Sequence, residues 1–119
     1  MKTLKDLDRT DRKILAVLQK DGRIANVDLA RTVNLTPTPC LERVRRLESE
    51  GFITGYVALL DPVKANAALC AYIEVQLTST TTESIKRFNE AMLALEEVQE
   101  CQMVAGGFDY LIKIRVADM

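Results

Sequence analysis

Arg43, Arg45 and Arg46 stand within four consecutive residues of the segment TPTPCLERVRRLESEG, which runs from Thr36 to Gly51. At helical spacing the segment gathers Cys40, Leu41, Val44 and Leu47 on one side. Thr38, Pro39, Glu42, Arg46 and Ser49 fall on the other, flanked by Arg43 and Arg45. Arg forms bidentate hydrogen bonds to the guanine edge, Glu accepts from cytosine N4, and further Arg and Lys neutralise phosphates. A helix anchored on its apolar side and projecting these groups fits the major groove of DNA, about 12 Å wide. The plainer reading is a solvated face laced with i,i+3 and i,i+4 pairs between the arginines and Glu42, Glu48 and Glu50. Periodicity alone does not separate the two.

Other chemistry is poorly supplied. The sequence has no His, which excludes a His general base, Ser-His and Cys-His nucleophile pairs and every His-containing metal site. Cys40, Cys70 and Cys101 are odd in number and form no CxxC pair, so they read as reduced, mostly buried thiols, and no metal site is expected. The tyrosines Tyr56, Tyr72 and Tyr110 are accounted for by strand positions, and no enzyme constellation emerges. No run approaches the ~20 apolar residues of a membrane span, and the N-terminus lacks the apolar core of a signal peptide. A cytosolic protein with no membrane partner is expected.

The elements around the arginines are helical. Asp8 is placed to cap a first helix with Leu7 as a staple, and Ile14, Leu15 and Leu18 form its apolar stripe as far as Gly22. A shorter helix follows Asn26, with Leu29, Ala30 and Val33 inward and Asn34 suited to a left-handed closing residue. The third helix starts at Thr36 before Pro37 or at Thr38 before Pro39, and ends at Gly51. Two helices joined by a tight turn, the second bearing Arg, Thr and Glu, describe a helix-turn-helix.

Length and charge agree with two modules. The 119 residues carry a net charge of -1, yet residues 1–50 sum to +3 and residues 51–119 to -4. A basic module is thus joined to an acidic one with different partners. After Gly51 the run from Phe52 to Leu60 is rich in strand formers and stops at Asp61-Pro62, which reads as a connecting strand. Residues 69 to 78 alternate, with Leu69, Ala71, Ile73, Val75 and Leu77 on one face. A helix follows with Ile85, Phe88, Met92 and Leu95 together, then a strand with Cys101, Met103 and Ala105, a Gly106-Gly107 turn, and a strand with Tyr110, Ile112, Ile114 and Val116 on one face. The order β-α-β-β is most of a ferredoxin-like β-α-β-β-α-β unit. The fold class is therefore α+β: a three-helix head over 1–52, a connecting strand and linker over 53–66, and an incomplete ferredoxin-like domain over 67–119. The missing second helix and fourth strand lead us to expect a shortened chain of a longer protein. An uncovered Ile112, Ile114 and Val116 stripe would forgo about 1.5 to 3 kcal/mol per side chain.

The string TPTPCLERVRRLESEGFITGYVALLDP, with LDRTDRKILAVLQKDGRIANVDLARTVNL before it and LEEVQECQMVAGGFDYLIKIRVADM beyond it, closely resembles the Lrp/AsnC family of bacterial and archaeal transcriptional regulators. The leucine-responsive branch is the nearest, and the resemblance spans almost the whole chain. It implies a winged helix-turn-helix regulator that binds double-stranded operator DNA as a homodimer or higher homo-oligomer. Its DNA-contacting residues would be Thr36, Thr38, Pro39, Glu42, Arg43, Arg45 and Arg46, with Arg46, Arg43 and Thr38 foremost. It also implies a connecting strand that contributes to dimerisation, and a second domain that binds an amino-acid effector and needs no cofactor. The family's Gly-acidic-aromatic-Asp motif at the effector turn reads here Gly106-Gly107-Phe108-Asp109-Tyr110, with Gly107 in the place of the acidic residue. Gly amides approach a carboxylate closely and an Asp carboxylate receives an ammonium group, so Gly106, Gly107, Phe108 and Asp109 are the expected effector residues. The plain alternative is a Gly hairpin turn. For the whole chain the alternative function is an amino-acid-sensing or protein-interaction module with no DNA role, against which stand residues 8–51.

Overall fold

A computed structural model describes residues 1–119, which fall into two compact units, Met1–Ala58 and Leu59–Met119.

In the first unit, helix α1 spans Arg9–Lys20, α2 Asn26–Thr32 and α3 Pro37–Ser49, after a short 3-10 turn at Leu4–Asp6. Local devices fix each boundary. The Asp8 side chain accepts from the Asp11 amide at 2.8 Å, capping α1. Helix α2 closes with Asn34 at φ 60°, and Leu35 N–H donates to the Ala30 carbonyl at 2.8 Å while Asn34 N–H donates to Arg31, a Schellman pattern. The Asn26 side-chain amide donates to the Pro37 carbonyl at 2.8 Å, tying the start of α2 to the start of α3. Of the two possible starts for α3, Thr36 is the cap and Pro37 the first helical residue. Pro39 is tolerated two residues later because amides of the first turn have no intrahelical acceptor to lose. Gly51, at φ 82°, turns the chain so that Ile53 N–H donates to the Leu47 carbonyl.

The head core is closed. Leu7, Ile14, Leu29, Ala30, Val33, Cys40 and Leu47 are buried, with Val44, Leu35, Phe52 and Ile53 among the half-buried residues packed on them. One expected core residue is elsewhere: Leu41 is 36% exposed, because the seam on α1 and α2 follows the 40, 44, 47 spacing, which turns its neighbour outward. The expected strand from Phe52 to Leu60 is also not formed. A strand requires a neighbour for its amides and carbonyls, and none pairs with this segment, whose Val57 and Leu59 are 85% and 93% exposed.

The second unit contains β1 (Leu69–Val75), α4 (Thr82–Leu93), β2 (Val98–Met103) and β3 (Tyr110–Val116) in a sheet of order β1-β3-β2. Both neighbours of β3 run antiparallel to it, so α4 is the crossover between two parallel strands separated by the third. Direct cross-strand partners share a face, so Ala71, Ile73, Val75, Tyr110, Ile112 and Ile114 line one side. A bulge between Val98 and Glu100 lets Val98 and Cys101 join that same side, which strict alternation would forbid. Helix α4, capped by Thr81, covers this side with Phe88, whose ring centroid lies 4.6 Å from that of Tyr110. Leu95 lies past the end of α4 and is 47% exposed, so it is not part of the helix face assigned from periodicity. Likewise β2 ends at Met103, before Ala105. The apolar stripe of β3 is better covered than expected: Ile112 is buried, and Ile114 and Val116 are half-buried.

Candidate nucleic-acid interface and effector turn

Helix α3 is pinned by Cys40 and Leu47, both fully buried, and by half-buried Val44. That anchoring fixes what the rest of the helix shows. Thr36, Thr38, Leu41, Glu42, Arg45 and Ser49 are exposed, and Pro39 is half-buried. The outward stripe therefore runs Thr38, Leu41, Glu42, Arg45, at the i, i+3, i+4, i+7 spacing of one helix face.

Arg43 and Arg46 lie away from this stripe, turned toward the first turn of α1. Arg43 Nη1 donates to Asp8 Oδ2 at 2.7 Å and to Asp11 Oδ1 at 2.9 Å, and Arg46 Nη2 donates to Asp11 Oδ2. This corrects the helical-wheel placement of Arg46 opposite the core. Both arginines occupy the flank facing α1, because a buried carboxylate there requires cationic partners. Asp11 is only 2% exposed, and each of its oxygens is taken by a different guanidinium. The Arg43 hydrogen bond, reinforced by the Asp11 amide, holds the Asp8 carboxyl below its ordinary range, and Asp8 and Asp11 together push the Arg43 guanidinium higher.

Sequence reasoning named the arginines and missed the carboxylates that hold them. A signal was present. Leu7, Asp11, Ile14 and Leu18 follow one apolar stripe, and a carboxylate in such a stripe must find a buried partner.

In the second unit the turn between β2 and β3 brings Asp109 to the end of β1. Asp109 N–H donates to the Val75 carbonyl at 2.9 Å, its carbonyl accepts from Val104 N–H, and its Oδ2 accepts from Leu77 N–H at 2.7 Å. One carboxylate oxygen is thus committed to fixing the chain beyond β1. Phe108 is half-buried, and Gly106 and Gly107 are exposed. Neither glycine has a left-handed φ, and a Cβ at Gly107 would meet nothing within 4 Å, so a larger residue has room there.

The cysteines are less uniformly buried than expected. Only Cys40 is fully buried, and that burial pushes its thiol pKa up; Cys70 and Cys101 are half-buried and lie on opposite faces of the sheet. No group of His, Cys, Asp or Glu has the arrangement to hold a metal, and no helix is long and apolar enough to cross a membrane.

Comparison with known proteins meets both units. Residues 7–54 match the winged helix-turn-helix DNA-binding family, and residues 70–119 match the Lrp/AsnC ligand binding domain. Leucine-responsive regulatory proteins of Escherichia coli K12 and Klebsiella pneumoniae are each 57% identical over 115 residues, covering 97% of this chain and 70% of theirs. The crystal structure of an AsnC family transcriptional regulator from Agrobacterium tumefaciens superposes with a TM-score of 0.90 at 42% identity, over 95% of this chain and 74% of that one. A Neisseria meningitidis transcriptional regulator in complex with L-Met also gives 0.90, at 40% identity, over 95% and 73%. The chain therefore belongs to the Lrp/AsnC family of transcriptional regulators, with a winged helix-turn-helix DNA-binding head and the family's ligand-binding domain.

Proposed function

We propose that the chain binds operator DNA through the outer face of α3 as a homodimer or higher homo-oligomer, and that an amino acid bound by the second unit shifts its assembly and thereby its DNA affinity. The observation that carries this reading is the division of α3 into a buried seam and an exposed stripe of Thr38, Glu42 and Arg45. Arg45 is the guanidinium free to reach a base edge, with Thr38 and Glu42 beside it and Thr36 and Pro39 near the backbone. Arg43 and Arg46 act from the flank. A dimer doubles the modest positive charge of the head and presents two half-sites to a partly symmetric operator. The leucine-responsive relatives and the L-Met complex of the Neisseria regulator favour an amino acid as effector.

The effector turn comprises Gly106, Gly107, Phe108 and Asp109, where Asp109 receives the α-ammonium group while its other oxygen keeps Leu77 in place. Residues 53–66 are the connecting segment between the head and this domain. An effector that binds one assembly state better than another moves the population by that difference, and no other coupling is required.

Selection of bound duplex from a random pool, with and without amino acids, tests the whole reading. Enrichment of a partly symmetric sequence, altered in yield by one amino acid, is expected. A pool that stays unenriched defeats the regulator reading and leaves the amino-acid-sensing or interaction module.

A further inference from the structure

We propose that Asp11 is the positioning residue of the reading helix, and that Asp8 is a displaceable mask over Arg43 that a DNA phosphate replaces. This deepens the proposed function and rests on its assignment of α3 to the DNA.

The two carboxylates sit one helical turn apart but in unlike surroundings. Asp11 has 3% of its side chain exposed and Asp8 54%. A buried carboxylate with both oxygens engaged is costly to disturb, because freeing it leaves charge out of water. Its two partners are three residues apart on α3, so the double attachment fixes both the rotation and the axial position of that helix against α1. The outward stripe inherits this register.

Asp8 holds Arg43 only from the solvent side. Surface ion pairs are weak, and a phosphate oxygen is an equal or better acceptor for guanidinium. Each guanidinium has five N–H donors; Arg43 engages protein acceptors through Nη1 and Arg46 through Nη2, which leaves donors on both for a phosphate. The two acids and two arginines sum to zero charge, so in the free protein this flank adds nothing to the positive field of the head. Displacing Asp8 from Arg43 exposes cationic donors already held in place by Asp11. Asp8 is ionised at neutral pH, since its carboxyl is held low, so the mask is in place under ordinary conditions.

The test uses the full chain and two duplexes, the sequence enriched from the pool and a scrambled one. Asn caps a helix about as well as Asp, so Asp8→Asn removes the competing charge while retaining the cap on the Asp11 amide. It should tighten binding to both duplexes by about threefold to tenfold at low salt, with the gain shrinking as salt rises. Asp11→Asn should lower the preference for the enriched duplex by about tenfold while binding to the scrambled duplex is retained, because charge persists and register is lost. Unchanged preference in a folded Asp11→Asn chain, or unchanged or weaker binding by Asp8→Asn, overturns the proposal. If Asp11→Asn does not fold, Asp8→Asn decides alone. A wild-type chain that binds neither duplex defeats the DNA reading itself; a wild-type chain that binds, with variants that behave otherwise than stated, defeats only this inference.

Discussion

In the head, seven apolar residues from three helices and their flanks are buried together, and the one buried carboxylate has a cation on each oxygen. In the second unit only Tyr110 and Ile112 are buried, and the Tyr110 hydroxyl has no partner. Tyr72, Ile73 and Met103 stand 62%, 43% and 66% exposed on its sheet. The contrast is between a closed core and an open one. A helix that reads base edges, as proposed for α3, must hold its side chains to a fixed register, and the head supplies this from within its own core. The sheet unit leaves apolar surface and an unsatisfied buried hydroxyl, features that suit the change of assembly proposed for it.

Leu47→Ala removes a fully buried side chain from the seam of α3 and should cost about 2–5 kcal/mol, seen as a lower urea midpoint of helical circular dichroism. Reporters in the sheet unit should keep their midpoint; if they move with the head, the two units are not independent. Next comes Ile112→Ala. It should destabilise the sheet unit by about 2 kcal/mol, the low end for such a change, because exposed Ile73 directly beside it allows the site to relax. A loss as large as that for Leu47 would show the sheet core to be as closed as the head.

Gly107→Glu sharpens the functional half of the contrast. Its backbone φ suits any residue and the space beside it is open, so stability should stay within about 0.5 kcal/mol while the amino-acid titration changes. An unchanged titration would remove position 107 from the effector turn. The smallest effect is the pH dependence of Asp8. Its carboxyl titrates below the ordinary Asp value of 3.8 when folded, so its contribution is present above that value and is lost as pH falls through the folded pKa. Melting temperatures followed from pH 5 down to pH ~2.5 should therefore fall more for wild type than for Asp8→Asn. Parallel curves would place no folded-state interaction on Asp8.

Much of the head was legible because its signals are local. Asp8, Asn34 and Gly51 mark helix ends through residues within a turn of themselves, and the structure uses each as expected. The α+β order and the limits of β3 follow from alternation in the same way. The direction of Arg43 and Arg46 was not legible, since their partner lies 32 and 35 residues away and a helical wheel contains no neighbouring helix. The apolar spacing of Asp11 was the only clue. A strand over residues 52–60 was expected from propensity, but pairing makes a strand and the single chain offers none. The bulge near Gln99 escaped for a related reason, because register is set by the partner strand.

On the proposed function, α3 reads duplex DNA with its exposed stripe while its flank is held from α1. Fluorescence anisotropy of the full chain on the enriched and scrambled duplexes, repeated across salt concentrations for wild type and Arg45→Ala, tests it most directly. The logarithm of the wild-type binding constant should fall linearly with log salt on both duplexes, with the enriched one bound more tightly, and Arg45→Ala should lose about 1–3 kcal/mol on the enriched duplex alone. Equal binding to both duplexes by wild type, or an Arg45→Ala loss that is the same on each, would contradict base reading by this face.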